Sequence, residues 1–348
     1  MNNKLLYNQN NKDQNLDLLK REKFERITLS FYKYIKMDNL EQLRDNLFLN
    51  FNELKILGRI YIANEGINAQ VSIPEHNLDM FKTKLNSYSS FNNIPFKFAV
   101  IEGLSFLKLT IKIKKEIVAY KISANQYDLS KTGKHLKSDD FNQAIDDGAI
   151  IIDMRNYYEG EIGKFENAII PDVERSQELL PEIKKLLSKN KEDKILMYCT
   201  GGIRCEKASS YLIKNGFQDV NQLEGVIIQY ANDIKKNKTK SKFIGKNFVF
   251  DHRMCERITD DIIANCHQCD VPSDNHTNCM NQCCHILFIQ CSKCKKKYNN
   301  CCSLECSEFL KLPKEQQQNL FKNGEVMFTA QKSKNIKPKL YLLNKNND

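Results

Sequence analysis

The sequence lacks a long run of apolar residues. Its first residues, MNNKLLYNQNNKDQN, have no apolar core of the kind that a signal peptide needs, and no later apolar run approaches the ~18 residues of a membrane span. A secreted or membrane-spanning protein is therefore disfavoured, and we expect a soluble protein of the cytoplasm. In that reducing compartment cysteines are mostly thiols, thiolates or metal ligands rather than disulfides.

Internal repeats and cofactor fingerprints are missing as well. The sequence has no glycine-rich fingerprint for a flavin or a nicotinamide cofactor, and it has no convincing iron-binding triad. The sequence therefore indicates no cofactor for a redox reaction.

The length and the net positive charge of the sequence limit its domain count and its class of partner. Its 348 residues suffice for roughly two or three domains, each with its own core. Lys and Arg number 53 against 43 Asp and Glu, which gives a formal net charge of +10. This moderate excess suits a polyanionic partner such as nucleic acid, and it is also compatible with mere solubility.

The first part of the chain has the pattern of a mixed α+β domain. Apolar periodicity predicts strands at 27–35, at 58–73 (two strands around an Asn-Glu-Gly turn) and at 96–120, and helices at 38–54 and 75–91. The order β-α-β-β-α-β predicts a ferredoxin-like fold with split βαβ topology.

The middle of the chain alternates strands and helices. AIIIDMRN (149–156) and KILMYC (194–199) read as buried strands, and the pattern predicts an α/β domain with a parallel sheet. Sites in such sheets form beyond the carboxyl ends of the strands, where Asp153 and Cys199 both lie. We divide the chain into a disordered tail at 1–25, the ferredoxin-like domain at 26–130, the α/β domain at 135–234, a basic linker at 235–246, a Cys-rich module at 247–312 and a polar basic tail at 313–348.

The stretch MYCTGGIRCEKA (197–208) places Cys199 between a predicted strand and a predicted helix. Backbone N–H groups of the loop can converge on its sulfur, the helix dipole adds partial positive charge, and Arg204 adds a full one. Such surroundings lower a cysteine pKa from ~8.5 to between about 3.5 and 7.5. Cys199 is thus a candidate nucleophile, and a structural thiol in a glycine turn is the alternative.

Three separated motifs resemble one known family. Y-C-T-G-G-I-R-C-E-K-A and the stretch IDMRNYYEGEIGKFENA (152–168) closely resemble the rhodanese-type domain of the bacterial tRNA uridine hydroxylases, a family formerly uncharacterised. G-R-I-Y-I-A-N-E-G-I-N-A-Q resembles its N-terminal signature, and the cysteines from Cys266 to Cys306 resemble its C-terminal module. The resemblance spans about residues 27–310, with the motifs in the family's order.

The resemblance implies roles for residues around the loop. Cys199 would carry a persulfide, as the first loop cysteine does in rhodanese-type sites. The cradle around it would be Thr200, Gly201, Gly202, Ile203 and Arg204. Asp153 and Arg155 match a D-x-R motif near such loops and are candidate catalytic residues, and Glu159 matches the next acidic position; a salt-bridged framework is the alternative for all three. Lys164 departs from the family, which more often has histidine there.

Loop length and a second cysteine refine this interpretation. Cys199 and Arg204 form C-x4-R, whereas cysteine phosphatases of related architecture use the longer C-x5-R to encircle phosphate, so a phosphatase is disfavoured. Cys205 is a possible resolving partner for an oxidised or persulfidated Cys199, or a small residue that packs in the first helical turn.

Eleven of the 13 cysteines lie between Cys255 and Cys306. They include two C-x2-C pairs, a spacing that lets both sulfurs reach one zinc ion. The candidate ligands of two four-sulfur zinc sites are Cys266, Cys269, Cys279, Cys284, Cys291, Cys294, Cys302 and Cys306, with Cys284 preferred to Cys283 by its resemblance to the family's register. Spare or substitute ligands are Cys283, Cys301, His276 and His285. Such closed zinc sites would be structural; redox thiols and iron–sulfur ligation are the alternatives.

The resemblance implies an oxidoreductase: oxygen-dependent hydroxylation of the wobble uridine of tRNA to 5-hydroxyuridine, with tRNA bound through its anticodon region and molecular oxygen as cosubstrate. Two alternatives stay open. One is a sulfurtransferase that moves sulfane sulfur from Cys199 to a thiol acceptor, and the other is a zinc-dependent adaptor with an inactive rhodanese fold.

Overall fold

The structure is a computed structural model that describes residues 6, 8, 10–173 and 175–332. Its contacts divide the chain into two compact units. The first comprises the chain up to Arg155 together with Asn167–Lys242 and Asn247–Glu256, and the second comprises Asn156–Glu166, Phe243–Lys246 and the chain from Arg257 onward.

The first unit begins with a mixed sheet and its helices. The elements are α1 (Lys12–Lys20), β1 (Arg26–Tyr34), α2 (Leu40–Glu53), β2 (Leu57–Ala63), β3 (Gly66–Pro74), α3 (Leu78–Asn86), β4 (Lys97–Phe98) and β5 (Leu109–Ile113). The sheet order is β4-β1-β3-β2-β5, in which β1 runs antiparallel to β3 and β4, and β5 is added parallel to β2. The first four strands have the order of a split βαβ sheet, so the predicted ferredoxin-like fold is confirmed.

The α/β domain follows. Its elements in the first unit are β6 (Lys134–Leu136), α4 (Ser138–Asp146), β7 (Ile150–Asp153), α6 (Ser176–Leu186), β9 (Lys194–Tyr198), α7 (Ile203–Lys214), β10 (Asp219–Leu223) and α8 (Val226–Asn237). Two elements between β7 and α6, α5 (Tyr157–Gly160) and β8 (Gly163–Phe165), belong to the second unit. Strands β6, β10, β9 and β7 form a parallel four-stranded sheet in that order, as the sequence predicts. Because β7 and β9 are parallel neighbours, Asp153 at the end of β7 and Cys199 just after β9 lie at the same edge of the sheet.

The remaining elements include those of the Cys-rich region. They are β11 (Phe243–Phe248), β12 (Cys255–Arg257), β13 (His276–Asn278), β14 (Leu287–Ile289), α9 (Ser292–Lys297), α10 (Leu304–Phe309), α11 (Lys314–Lys322) and α12 (Thr329–Lys332). Strands β12, β11 and β8 form a three-stranded sheet, and β13 pairs antiparallel with β14. No helix among the described residues combines the length and the apolar composition that crossing a membrane requires.

The predicted disordered tail at 1–25 is wrong where α1 forms. Asn11 caps this helix: its side chain accepts a hydrogen bond from the Gln14 backbone at 2.9 Å, and the Gln14 side chain accepts one from the Asn11 N–H at 2.9 Å. This capping box satisfies two backbone donors and stabilises a helix that has little apolar surface. Residues 1–5, 7 and 9, also within the predicted tail, lie outside the described residues.

Two further segment predictions need correction. The predicted linker at 235–246 is shorter, because α8 continues to Asn237 and β11 begins at Phe243. The predicted polar tail at 313–348 contains α11 and α12, and Phe328 is buried with its ring centroid 4.7 Å from that of Phe309. Leu320, Phe321 and Val326 pack against the same cluster, so scattered apolar residues fold this otherwise polar segment onto a core. Residues 333–348 lie outside the described residues.

Candidate active site

Cys199 lies between the buried strand β9 and the start of α7. The loop turns at Gly202, whose φ of 87° lies in the region that favours glycine. A Cβ atom at this position would lie 2.8 Å from the Tyr32 hydroxyl, which also requires glycine. The loop therefore brings its backbone close to Cys199 and to β1 at once.

The Cys199 sulfur is surrounded by hydrogen-bond donors. Gly202 donates its N–H to Sγ at 3.0 Å, and the Cys205 thiol donates to it as well. The Cys205 N–H donates to the Gly202 carbonyl at 2.9 Å and adds to the lowering of the Cys199 pKa. Burial raises the pKa of Cys199, but these donors and the positive charge of Arg204 outweigh burial and lower the pKa from 9.0 to about 5. Cys199 is therefore a thiolate at neutral pH, and the thiolate is the nucleophilic form.

Cys205 has the opposite protonation state. It is buried in the first turn of α7, and burial together with the hydrogen bond to Cys199 raises its pKa well above the ordinary value. A protonated thiol beside a thiolate is a donor to the nucleophile rather than a second nucleophile.

Thr200 and Arg204 hold the loop from its two ends. The Thr200 hydroxyl lies 3.2 Å from Asn247 Oδ1 and 3.3 Å from the Phe248 carbonyl oxygen, so it ties the loop to β11. The Arg204 guanidinium lies 5.8 Å from the centroid of the Phe250 ring. Arg204 remains half-buried, so its charge is partly screened by water.

Asp153 and Arg155 form a fully buried ion pair. The guanidinium Nη2 donates to Asp153 Oδ2 at 2.7 Å and Nε donates to Oδ1 at 2.9 Å. The Tyr198 hydroxyl donates to the same carboxylate at 2.7 Å, which joins the ends of β7 and β9. These contacts favour the framework interpretation of the pair.

Glu159 and Lys164 lie in the second unit. Glu159 is buried and caps α5: its Oε1 accepts hydrogen bonds from the Asn156 backbone at 2.9 Å and from the Asn156 side chain at 3.0 Å. Lys164 lies in β8, opposite Ile244 of β11. The capping contacts favour a structural role for Glu159 as well.

Residues of the first sheet also reach the loop, and the sequence does not single them out. Lys97 of β4 donates to the Gly201 carbonyl at 3.0 Å, and Tyr34 of β1 donates to the Ile203 carbonyl at 3.0 Å. Lys97 is 104 positions from Gly201, so no local pattern links them. The nearest available signal is the strand prediction that covers Lys97.

Glu206 of α7 joins a partly buried polar cluster near the loop. It accepts hydrogen bonds from Tyr32 at 3.1 Å, His135 at 3.0 Å and Gln222 at 3.2 Å. Burial raises the pKa of Glu206, but these donors outweigh it and lower the pKa overall, so the group stays a carboxylate. The hydrogen bond between His135 and Glu206 raises the pKa of His135.

The eight predicted metal ligands come together in two groups of four. One group is Cys266, Cys269, Cys291 and Cys294, and the other is Cys279, Cys284, Cys302 and Cys306. Within each group the sulfurs lie within 4.8 Å of one another. Cys283, Cys301, His276 and His285 belong to neither group among the described residues.

The spacing of the sulfurs fits a tetrahedral ion. Neighbouring sulfurs lie 3.6 Å apart for Cys269 and Cys291, and 3.7 Å apart for Cys284 and Cys302. Four sulfurs about 2.3 Å from a central zinc ion would be about 3.8 Å apart. Both donor sets therefore suit zinc in spacing and in chemistry.

Three family models match the chain in order. A UPF0176 acylphosphatase like domain matches residues 26–117, a rhodanese-like domain matches 137–233, and a "Rhodanase C-terminal" family matches 244–307. Together they cover most of the described chain and agree with the folds described above.

Two relatives are similar over nearly the whole chain. A protein of Leptospira interrogans serovar Lai, named tRNA uridine(34) hydroxylase, is 49% identical over 92% of this chain and 88% of its own length. A protein of the same name from Photorhabdus laumondii is 48% identical over 84% of each chain. Among solved structures, the rhodanese-like domain of an Anabaena protein is 17% identical, covers 33% of this chain and 80% of its own, and has a TM-score of 0.26.

Proposed function

The chain belongs to the tRNA uridine(34) hydroxylase family, and from this premise we propose that it hydroxylates uridine 34 of tRNA at a site centred on Cys199. The observation that carries the assignment of the site is the buried Cys199 thiolate with its converging N–H donors. A structural thiol gains nothing from a lowered pKa, whereas a reactive sulfur does. Thr200, Gly201, Gly202, Ile203 and Arg204 form its cradle in this proposal.

Molecular oxygen is the proposed cosubstrate. Replacing the C5–H bond of uracil with C5–OH takes one oxygen atom of O2, and the other atom leaves as water with two electrons and two protons. Oxidation of the Cys199 thiolate and the Cys205 thiol to a disulfide releases two electrons and one proton, and water supplies the second proton. The hydrogen bond from Cys205 to Cys199 supports this pair as the reductant, with two external thiols restoring it as they form their own disulfide.

Asp153 and Arg155 are proposed to act by positioning. Their ion pair and the Tyr198 hydroxyl join the strand ends that carry the loop. Removing one partner of a buried pair leaves an uncompensated charge, which costs about 3–5 kcal/mol. We therefore propose that changes at this pair lower activity through the stability of the loop.

Zinc is the metal that we propose for both cysteine groups. Thiolates are the ligands that tetrahedral zinc prefers, and four protein ligands leave no open position for a substrate. Bound zinc would supply folding free energy to the Cys-rich region and no chemistry to the reaction.

The proposed substrate is tRNA, bound through its anticodon region, where position 34 lies. The net charge of +10 supports a polyanionic partner. We propose a cytoplasmic location, because tRNA and a reducing thiol pool occur there together.

The experiment is a mass analysis of tRNA nucleosides from a strain that lacks the gene. Derivatives of 5-hydroxyuridine should be missing, and they should return with the wild-type gene and not with Cys199→Ser. Cys255→Ser is the matched control, because Cys255 lies outside the loop and both metal groups. Wild-type nucleoside levels in the deletion strain would contradict the proposal; a sulfurtransferase activity that depends on Cys199 would then favour sulfur transfer, and its absence an adaptor.

A further inference from the structure

The carbonyl oxygens of the Cys199 loop accept hydrogen bonds from side chains outside the α/β sheet. Gly201 O accepts from Lys97 Nζ at 3.0 Å, and Arg204 O accepts from the Tyr120 hydroxyl at 3.3 Å. Carbonyls of a tight loop that follows a strand are often left to water. In this loop, side chains of the protein donate to these carbonyls in place of water.

The peptide between Gly201 and Gly202 connects Lys97 to Cys199. In a trans peptide the C=O and N–H point in opposite directions, and the described residues contain no cis peptide bond. Lys97 binds the oxygen of this peptide, and its N–H lies 3.0 Å from Cys199 Sγ. A cation on one end and a thiolate on the other align the peptide dipole and strengthen both hydrogen bonds.

The peptide between Arg204 and Cys205 lies in the same cradle. Its oxygen accepts from Tyr120 at 3.3 Å, whereas its N–H donates to the Gly202 carbonyl at 2.9 Å and adds to the lowering of the Cys199 pKa. Side chains from the chain that precedes the α/β domain thus hold the carbonyls of two peptides beside the sulfur, and the Gly201–Gly202 peptide donates its N–H to the sulfur directly.

Lys97 itself is held in a defined position. Its ammonium lies 4.1 Å from the centroid of the Tyr32 ring, a cation–π contact, and the Tyr32 hydroxyl is in turn hydrogen-bonded to Glu206. The side chain is half-buried, and loss of water lowers its pKa from 10.5 to about 8, so it is charged at neutral pH.

We propose that Lys97 is a positioning residue of the sulfur site, which fixes and polarises the Gly201–Gly202 peptide so that its N–H stabilises negative charge on Cys199. This inference rests on the proposed reactivity of Cys199. It gives the acylphosphatase-like domain a direct part in the chemistry, beyond any part in holding tRNA. The charged and titratable groups around the sulfur are Lys97, Arg204, Cys205, Glu206 and Tyr32.

The test measures the reactivity of Cys199 rather than hydroxylation. The full chain is alkylated at graded pH, and the peptide that contains Cys199 is quantified by mass spectrometry. Lys97→Met should move the midpoint of the alkylation profile upward by about one pH unit, which is roughly a tenfold loss of reactivity below the midpoint. Lys97→Arg should keep the wild-type profile, because it keeps a charged donor.

Lys33→Met is the matched control. Lys33 also donates to a backbone carbonyl, Asn92 O at 3.0 Å, but that carbonyl lies outside the loop. If Lys97→Met fails to fold, as judged by thermal unfolding, Lys97→Gln replaces it, and its midpoint should move in the same direction. Profiles of the Lys97 variants that coincide with that of Lys33→Met would overturn the inference. A wild-type Cys199 that reacts only near pH 8.5 would overturn the proposed reactivity of Cys199 as well.

Discussion

Cys199 and Cys205 lie six positions apart, and their pKa values shift in opposite directions because their surroundings in the loop differ. Cys199 receives N–H donors, a thiol donor and the charge of Arg204, whereas Cys205 receives burial and the negative charge of its neighbour. The helix N-terminus alone does not decide the matter, since both residues lie beside it. What separates them is the direction of the hydrogen bond between the two sulfurs.

The pH dependence of the reaction follows from Cys199 and Lys97. Cys199 must be a thiolate, and its pKa of about 5 makes activity rise as pH increases through that value. Lys97 loses its charge as pH increases beyond its pKa of about 8, but an increase of about one unit in the pKa of Cys199 leaves that residue a thiolate there. Hydroxylation of tRNA measured against pH should therefore rise through about pH 5 and then level off.

Variants of Lys97 should move this rise in activity. Lys97→Met should shift it upward by about one pH unit, whereas Lys97→Arg, which stays protonated, should leave it in place. Wild-type activity that is still rising between pH 8 and pH 9, measured under saturating tRNA, would contradict the assignment of the rise to Cys199.

Residues of the site differ in how far the sequence predicts them. The loop can be predicted from its local sequence, because the buried strand, the glycine pair and the helix around Cys199 are consecutive in the chain. Lys97 and Tyr120 reach the same loop from distant parts of the chain. Contacts of that kind depend on how elements pack, and no local pattern encodes them.

The elements that carry the site are short and depend on their partners. Strand β4 has two residues, yet its pairing with β1 is what positions Lys97. The apolar runs of β7 and β9 predict both strands well. No prediction covers α6, which contains Pro181 within its length, and α1 is predicted as a tail because a capping box rather than an apolar face supports that helix.

Removal of single zinc ligands tests the pairing of the cysteines. Cys294→Ser should lose the ion of the first group and Cys306→Ser that of the second, so elemental analysis should find about one zinc per chain instead of about two. Each variant should also unfold at lower temperature, because metal binding is folding free energy in such regions.

Cys283→Ser is the control for these variants. Cys283 is partly exposed, lies beside Cys284 in the sequence and belongs to neither group, so its replacement should leave about two zinc ions bound. Freshly purified, reduced wild-type protein without metal would refute the zinc assignment. Loss of both ions from either single variant would show that the two groups are not independent.

At the scale of the molecule, the two N-terminal domains that the sequence separates lie in one compact unit. Lys207 of α7 is buried and lies 2.9 Å from the carboxylates of both Glu65 and Glu116. Breaking such a buried pair is costly, so these bonds hold the acylphosphatase-like domain against the α/β domain. The domain limits 26–130 and 135–234 remain predictions. They are drawn from composition, and composition does not reveal ion pairs between domains.

The basic character of the chain leads to a prediction about tRNA binding. Lys236 and Lys238 are exposed at the end of α8, where a neutralised phosphate would release counterions. The affinity for tRNA should fall steeply with salt, and Lys236→Glu with Lys238→Glu should flatten the logarithmic slope by roughly 1 for each phosphate that the variant no longer neutralises. Lys184→Glu with Lys189→Glu makes the same charge change on and just beyond α6 and serves as the control. Equal slopes for the two double variants, measured by filter binding from low to physiological salt, would show that the end of α8 does not bind tRNA.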